Sequence, residues 1–368
     1  MFDIALAPPI QWLYNFPFQF LTITFEVNMT IRLPAEWEAQ DGVLLAWPHE
    51  GTDWAYMLDD VRPVFAEIIR QISRFERILL TAPCSAEARD YLAAADIDMT
   101  NVSIFEMPNN DTWARDFGPI TVMFNGQPVL LDFGFNGWGL KFPANHDNLI
   151  NKRLSEQGAF KPNLKTIGLV MEGGSLETDG LGTILTTAEC LLSPNRNPQL
   201  DKKEIEQALA SLVGARRVLW LNHGYLAGDD TDSHVDTLAR ICPDNVIAYV
   251  ACDDQRDEHF QQLKLMEEEL KAFRAPDGSP YRLVPLPWPK ARFDEMAHRL
   301  PATYANFLVI NGAVLVPTYR DEKDALALER IGQAFHGREI IGIDCLPLLD
   351  QHGSLHCVTM QLPAGVLA

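Results

Sequence analysis

One recurring pattern limits what this chain can fold into. Two short apolar strands, a helix and a further strand follow one another about five times, at a spacing of several tens of residues. In the first unit an apolar strand over 43–47 leads to a helix over 59–74. On that helix Val61, Phe65, Ile68, Ile69 and Ile72 share one side. Strands over 77–81 and 102–105 follow. The second unit has strands over 120–123 and 129–133, a helix over 147–157 and a strand over 166–171. The third has a strand over 183–192, a helix over 201–212 and a strand over 217–221. The fourth has a strand over 246–251, a charged helix over 257–273 and a strand near Leu283. The fifth has a strand over 307–316, a helix over 322–335 and a strand over 340–343, before a last strand over 355–362. Such a period predicts radial repetition of one supersecondary unit, with an ordinary open α/β sheet as the alternative.

The chain has 368 residues, of which 47% are hydrophobic and 22% charged, so a large core can be buried. The net charge of −20 argues against nucleic acid and against an anionic membrane surface, because nothing would offset phosphate repulsion. It favours a small cationic ligand. No glycine-rich phosphate loop follows any strand, so nucleotide binding has no support. None of the six cysteines forms a CxxC pair, which fits a reducing compartment, the cytoplasm, with most of them packed as small apolar residues. The apolar run over 16–25 is too short to span a bilayer and no basic residue precedes it. Residues 1–28 are therefore expected to be a leader outside the fold, with Met29 as an alternative start and 29–368 as a single domain. A homo-oligomer is compatible with the sequence, which does not fix the oligomeric state.

The densest chemistry lies in GDDTDSHVDTLAR, 228–240, with four aspartates and one histidine within 229–236. Three readings follow from the residue types: a metal site on Asp229, Asp230, Asp232, His234 and Asp236, a site for a cationic substrate, or an acidic turn. If 234–236 is extended, His234 and Asp236 face one cavity and Val235 the other side. In NNDTWARDFGP, 109–119, Trp113 and Asp116 face a ligand, or Arg115 and Asp116 form a surface turn. In MEGGSLETDG, 171–180, Glu172 ends a strand before two glycines and either contacts a ligand or caps the turn. Cys357 stands at the start of the last strand as packing or as a nucleophile. His356 would point away from it there, which leaves His234 as the better base.

WARDFGP, EGGS, TTAECLLSPNRNP, GDDTDSHVDTLAR and SLHCVTMQLP, in this order and spacing, resemble the agmatine deiminases, a bacterial branch of the guanidino-group-modifying superfamily. The resemblance runs from about Leu33 to Pro363. It implies an α/β fold, a five-bladed propeller of ββαβ modules around a central active site. It implies Cys357 as nucleophile, His234 as acid–base, and Asp116 and Asp236 as the carboxylates that grip a guanidinium. Trp113 and Glu172 match motif positions at or beside the substrate pocket. The implied reaction is hydrolysis of agmatine to N-carbamoylputrescine and ammonia with no metal or organic cofactor. One departure stands out: His352-Gly353-Ser354-Leu355 precedes His356-Cys357 where the family usually has three glycines and Asn-Ile. The alternatives are a deiminase of arginine or peptidyl-arginine, a metal-dependent hydrolase on the acidic run, and an inactive polyamine-binding propeller.

Overall fold

The computed structural model describes residues 30–368; the apolar run over 16–25 and Met29 lie outside the described residues. The repeat resolves into five sheets of one design. In each, an antiparallel strand pair is followed by a helix and then by a strand that runs parallel to the second member of the pair. The fourth sheet shows it plainly: Ala239–Cys242 and Val246–Val250 are antiparallel, Phe260–Ala272 crosses over, and Arg282–Leu286 returns parallel. The third joins Glu177–Thr178, Thr183–Thr187 and Arg217–Leu221 through the helix Lys202–Val213. That helix is specified locally. Asp201 and Glu204 form a reciprocal capping box, and Gly214 closes the other end in a left-handed conformation at φ 73°.

The second sheet carries Ile120–Phe124, Gln127–Gly134 and Leu164–Val170, with Ile31–Arg32 on its edge. The first is assembled from both ends of the described chain. Met360–Pro363 pairs antiparallel with Gln40–Ala46, which runs parallel to Arg77–Ala82 and then to Val102–Glu106. Its crossover helix, Leu58–Ser73, buries Val61, Phe65, Ile68, Ile69 and Ile72, the apolar stripe expected from sequence. The result is a mixed α/β fold with one continuous apolar core. No helix among the described residues is long and apolar enough to cross a membrane.

The structure corrects several expected elements. The strand over 183–192 ends at Thr187, whose hydroxyl caps a short helix, Ala188–Leu191. The strand over 307–316 is a hairpin, Leu308–Ile310 and Ala313–Thr318, because Gly312 turns with φ 76°. Residues 234–236 are not extended: Val235–Thr237 is a 3₁₀ turn, reached through Asp232 and Ser233 in left-handed conformations. The last strand begins at Met360, so Cys357 sits in the turn before it.

Candidate active site

A cavity of about 280 Å³ opens between the ends of these sheets, and Trp113, Asp116, Trp138, Gly353 and Cys357 form part of its wall. Further out, Asp53, Asp111, Asp147, Asp229 and Asp230 face it. Among the described residues, no lysine or arginine lines it. Chain order scatters these residues over 300 positions, and the sheets gather them.

Asp116 lies on the short helix Ala114–Phe117 and is buried, as is Arg115, so the surface-turn reading fails. One carboxylate oxygen accepts the Gly174 N–H at 3.1 Å and the other accepts the Trp138 indole N–H at 2.9 Å. Burial drives this carboxyl up to about 6, against the pull of the His234 charge. His234 Nδ1 stands 3.5 Å from Asp116, and its Nε2 stands 3.9 Å from Glu172. Burial disfavours charge on this ring, yet the Asp116 carboxylate and the Cys190 sulfur lift it well above the ordinary imidazole range.

Gly174 is the close-packing point. A Cβ there would lie 2.6 Å from His234 Nδ1, 2.9 Å from an Asp116 oxygen and 3.1 Å from an Asp236 oxygen. The second glycine of EGGS thus lets three functional side chains converge. Gly353 does the same on the other wall, where a Cβ would fall 2.1 Å from the Trp113 ring. Trp113 is held there by Trp54, with ring centroids 5.7 Å apart, and by its N–H donated to Asp111 at 3.1 Å.

Cys357 is buried, with its sulfur 3.4 Å from the Asn306 side-chain oxygen. Burial, and then the Asp236 and Asp116 carboxylates, push its thiol well above the ordinary range. Asp236 binds His356 Nδ1 through Oδ2 at 2.7 Å, while its buried Oδ1 has no hydrogen-bond partner. Burial opposes its ionisation, but the His356 hydrogen bond and charge hold it below the ordinary carboxylate range.

Trp113, Asp116 and Cys357 therefore line the cavity, while His234 and Asp236 are buried behind that wall, His234 beside Asp116 and Asp236 near both Asp116 and the Cys357 thiol. Glu172, expected at or beside the ligand, is not on the wall. It is fully buried, and both of its oxygens accept from Arg196 Nε, at 3.0 and 2.9 Å. Burial acts against its charge, but His234 and the Arg196 cation keep its carboxyl below the ordinary range. The acidic run is also dispersed. Asp229 accepts the N–H groups of Thr231 and Ser233, Asp232 pairs with Arg196 and Lys141, and Asp230 faces the cavity. Its five acid and imidazole side chains do not converge on one point as a metal centre requires. Two other groups do come together, Glu172–Cys190–His234 and Glu36–Glu177–His356. In each the carboxylates already hold an arginine, Arg196 in the first and Arg240 in the second.

Sequence reasoning passed over Trp138, Asn306, Arg196, Glu36 and Arg240. Arg196 lies in the SPNRNP motif and could have been found there. Trp138 could not, because its left-handed backbone at φ 55° has no sequence signature beyond the glycines around it.

A fold that draws a thiol, an imidazole and two carboxylates to one buried point suits chemistry on a planar cation, and relatives bear out that class. The chain belongs to the Porphyromonas-type peptidyl-arginine deiminase family, whose profile matches residues 32–363. It is 31% identical to the agmatine deiminase of Pseudomonas aeruginosa over 358 residues, 90% of this chain and 95% of that one. Among solved structures, a cysteine-to-serine variant of C. jejuni agmatine deiminase with substrate bound superposes with a TM-score of 0.86 at 39% identity. It covers 92% of this chain and 98% of that one. A Porphyromonas gingivalis protein, whose own arginine deiminase assignment is provisional, gives 0.87 at 51% identity, covering 92% and 100%.

Proposed function

We propose that this protein is a hydrolase that deiminates agmatine to N-carbamoylputrescine and ammonia. The observation that carries the reading is the buried convergence of Asp116, Asp236 and His234 around Gly174, with the two carboxylates acting on the Cys357 thiol. The five sheets are read as blades of a propeller around this site, formed by one catalytic domain. The reduced cysteines suit the cytoplasm.

A guanidinium is a planar cation that resists attack. Asp116 and Asp236 would take its N–H groups and fix its plane. Its charge would offset the two carboxylates that hold the Cys357 thiol neutral, so the thiol releases its proton to bulk water when substrate binds. The thiolate attacks the central carbon and forms the C–S bond. Charged His234 gives its proton to one terminal NH₂, the C–N bond breaks, and ammonia departs. The cationic amidino-cysteine remains. His234, now neutral, takes a proton from water as the oxygen attacks the same carbon. The C–S bond then breaks, the hydroxyl proton passes to the departing Cys357 sulfur to restore the thiol, and the neutral urea product leaves. Glu172, held by Arg196, would steady the charge on His234 rather than touch substrate.

The outer wall favours agmatine over free arginine. Asp229, Asp230, Asp111 and Asp147 suit an amine, and among the described residues the lining offers no lysine or arginine for an α-carboxylate. Ammonia release from agmatine, arginine and a blocked arginine peptide tests this: agmatine should be turned over at least about a hundredfold faster, as expected when a site leaves a wrong partner's charge unpaired. Equal turnover of arginine would overturn the substrate assignment. Mass spectrometry of enzyme quenched in turnover should find the amidino adduct on Cys357.

A further inference from the structure

His356 is adjacent to the proposed nucleophile yet turned away from it, into a buried set of charges behind the site. Its Nδ1 lies 2.7 Å from Asp236 Oδ2, and its Nε2 lies 2.9 Å from Glu36 Oε2. An ionised carboxylate only accepts hydrogen bonds, so each ring nitrogen must donate. The ring then carries a positive charge between two carboxylates. Glu36 is suited to that arrangement. Its Oε2 also accepts from Arg240 Nη2 at 2.8 Å, and its Oε1 accepts the Val309 N–H at 2.7 Å. Arg240 Nη2 stands 3.1 Å from His356 Nε2 because both donors converge on one oxygen. Burial opposes the Glu36 charge, but His356 and Arg240 hold the carboxyl well below the ordinary range.

Further charges face the same groups: His234 and Asp116 stand beside Asp236 across Gly174. Arg240 Nε binds Glu177 at 2.5 Å, and Arg115 Nε donates to the His356 carbonyl at 3.4 Å. The His356 N–H donates to the Asn306 side-chain oxygen at 2.9 Å, the same oxygen that faces the Cys357 sulfur. The ring is therefore fixed through both nitrogens and through its backbone. On its far side, Asp236 is fixed through one oxygen only. Its other oxygen, buried and unpartnered, is the free acceptor that a guanidinium N–H requires.

We propose that Glu36 and His356 form a positioning pair that holds Asp236 ionised and oriented, with one carboxylate oxygen pinned and the other reserved for the substrate guanidinium. The proposal rests on the deiminase reading, since it gives Asp236 a cation to hold. It also assigns a task to the glutamate of the PAEWE stretch near the start of the described chain.

The test begins with wild-type enzyme and agmatine. Absence of deimination there would sink the functional reading itself. Given turnover, Glu36→Gln keeps the shape of the side chain and removes its charge. The expected result is a fall in kcat/KM of about 10- to 100-fold, the scale of a lost charged hydrogen bond. The acid limb of kcat/KM, set in the wild type by Asp116 at about 6, should move to higher pH, because Asp236 without the charged ring is a buried carboxyl beside Asp116 and takes up a proton above that limb. His356→Asn should give the same displacement, since its amide can reach Asp236 but carries no charge. A merely structural role would lower kcat/KM equally at every pH, and an unmoved acid limb in both variants would overturn the pairing. Neutron diffraction of the wild-type protein covers the case in which neither variant folds. Deuterium on both ring nitrogens of His356 supports the pair, and deuterium on only one overturns it.

Discussion

Gly174→Ala isolates the packing requirement of the site. Gly174 is not in the left-handed region, so its backbone accepts alanine and the constraint is steric. The new methyl would lie 2.6 Å from His234 Nδ1 and 2.9 Å from Asp116 Oδ1. Neither neighbour yields easily. Asp116 is held by Gly174 and Trp138, and His234 is buried between Asp116 and Glu172. Relief to an ordinary contact near 3.4 Å requires His234 to move by about 0.8 Å, the difference between the two distances. A displacement of about 1 Å at reacting groups costs roughly 10²-fold in rate. Overpacking of a core costs about 1–3 kcal/mol in stability. The expected outcome is therefore a folded protein, melting a few degrees lower, with kcat/KM for agmatine reduced about a hundredfold. Steady-state ammonia release and a thermal melt measure the two effects. A variant with wild-type kcat/KM would refute the claim that these three side chains are used at this separation.

Four further outcomes follow from the charges. Asp116 titrates at about 6 in the free protein, so below that pH its carboxyl is neutral and cannot hold a cation; kcat/KM should fall as pH drops through about 6. The same raised value means the folded chain retains a proton that the unfolded chain has lost, so this group's contribution to stability declines as pH rises through about 6, which a urea-melt series over pH would detect. Because the Cys357 thiol is pushed well above its ordinary range, neutral iodoacetamide should label it slowly in the free enzyme, and a non-reacting guanidinium compound too small to cover the sulfur should accelerate labelling; fast labelling that ignores the compound would count against substrate-induced thiolate formation. Arg196→Leu leaves Glu172 buried without its cation, and a loss of about 3–5 kcal/mol in denaturant melts is expected; a loss below about 1 kcal/mol would mean that the pair is not structural.

Much of the fold was legible because its signals are local. Helix 59–74 was read from its apolar stripe, and helix 201–212 from a composition that its capping box now explains. What failed was backbone that departs from a period. A strand period placed His234 and Asp236 on one face, and they do reach one site, but through a 3₁₀ turn entered by two left-handed residues. The spacing was informative and the conformation behind it was not. Glu172 shows a different limit of the sequence. Its motif marked it as important, but only the structure shows that Arg196, 24 positions on, has taken both of its oxygens. Paired charges of this kind have no periodicity to read.

The first sheet links closure of the fold to completion of the site. Cys357 lies three residues before Met360, where the last strand begins to pair with Gln40–Ala46. Glu36 lies four residues before Gln40 on the partner strand. Pairing of the two ends therefore brings the sulfur to the cavity and Glu36 to His356 in a single event. Arg115 ties the same turn down, since its N–H donates to the Cys357 carbonyl at 3.1 Å. The Cys357 sulfur is thus positioned by the pairing of the C-terminal strand with Gln40–Ala46. The buried charges behind it are satisfied only when that strand is in place, and an open intermediate would leave Glu36, Glu177 and Asp236 without the imidazole that separates two of them. Electrostatics and strand pairing thus favour the same closed state, in which the thiol lies beside the two carboxylates that would receive the cation.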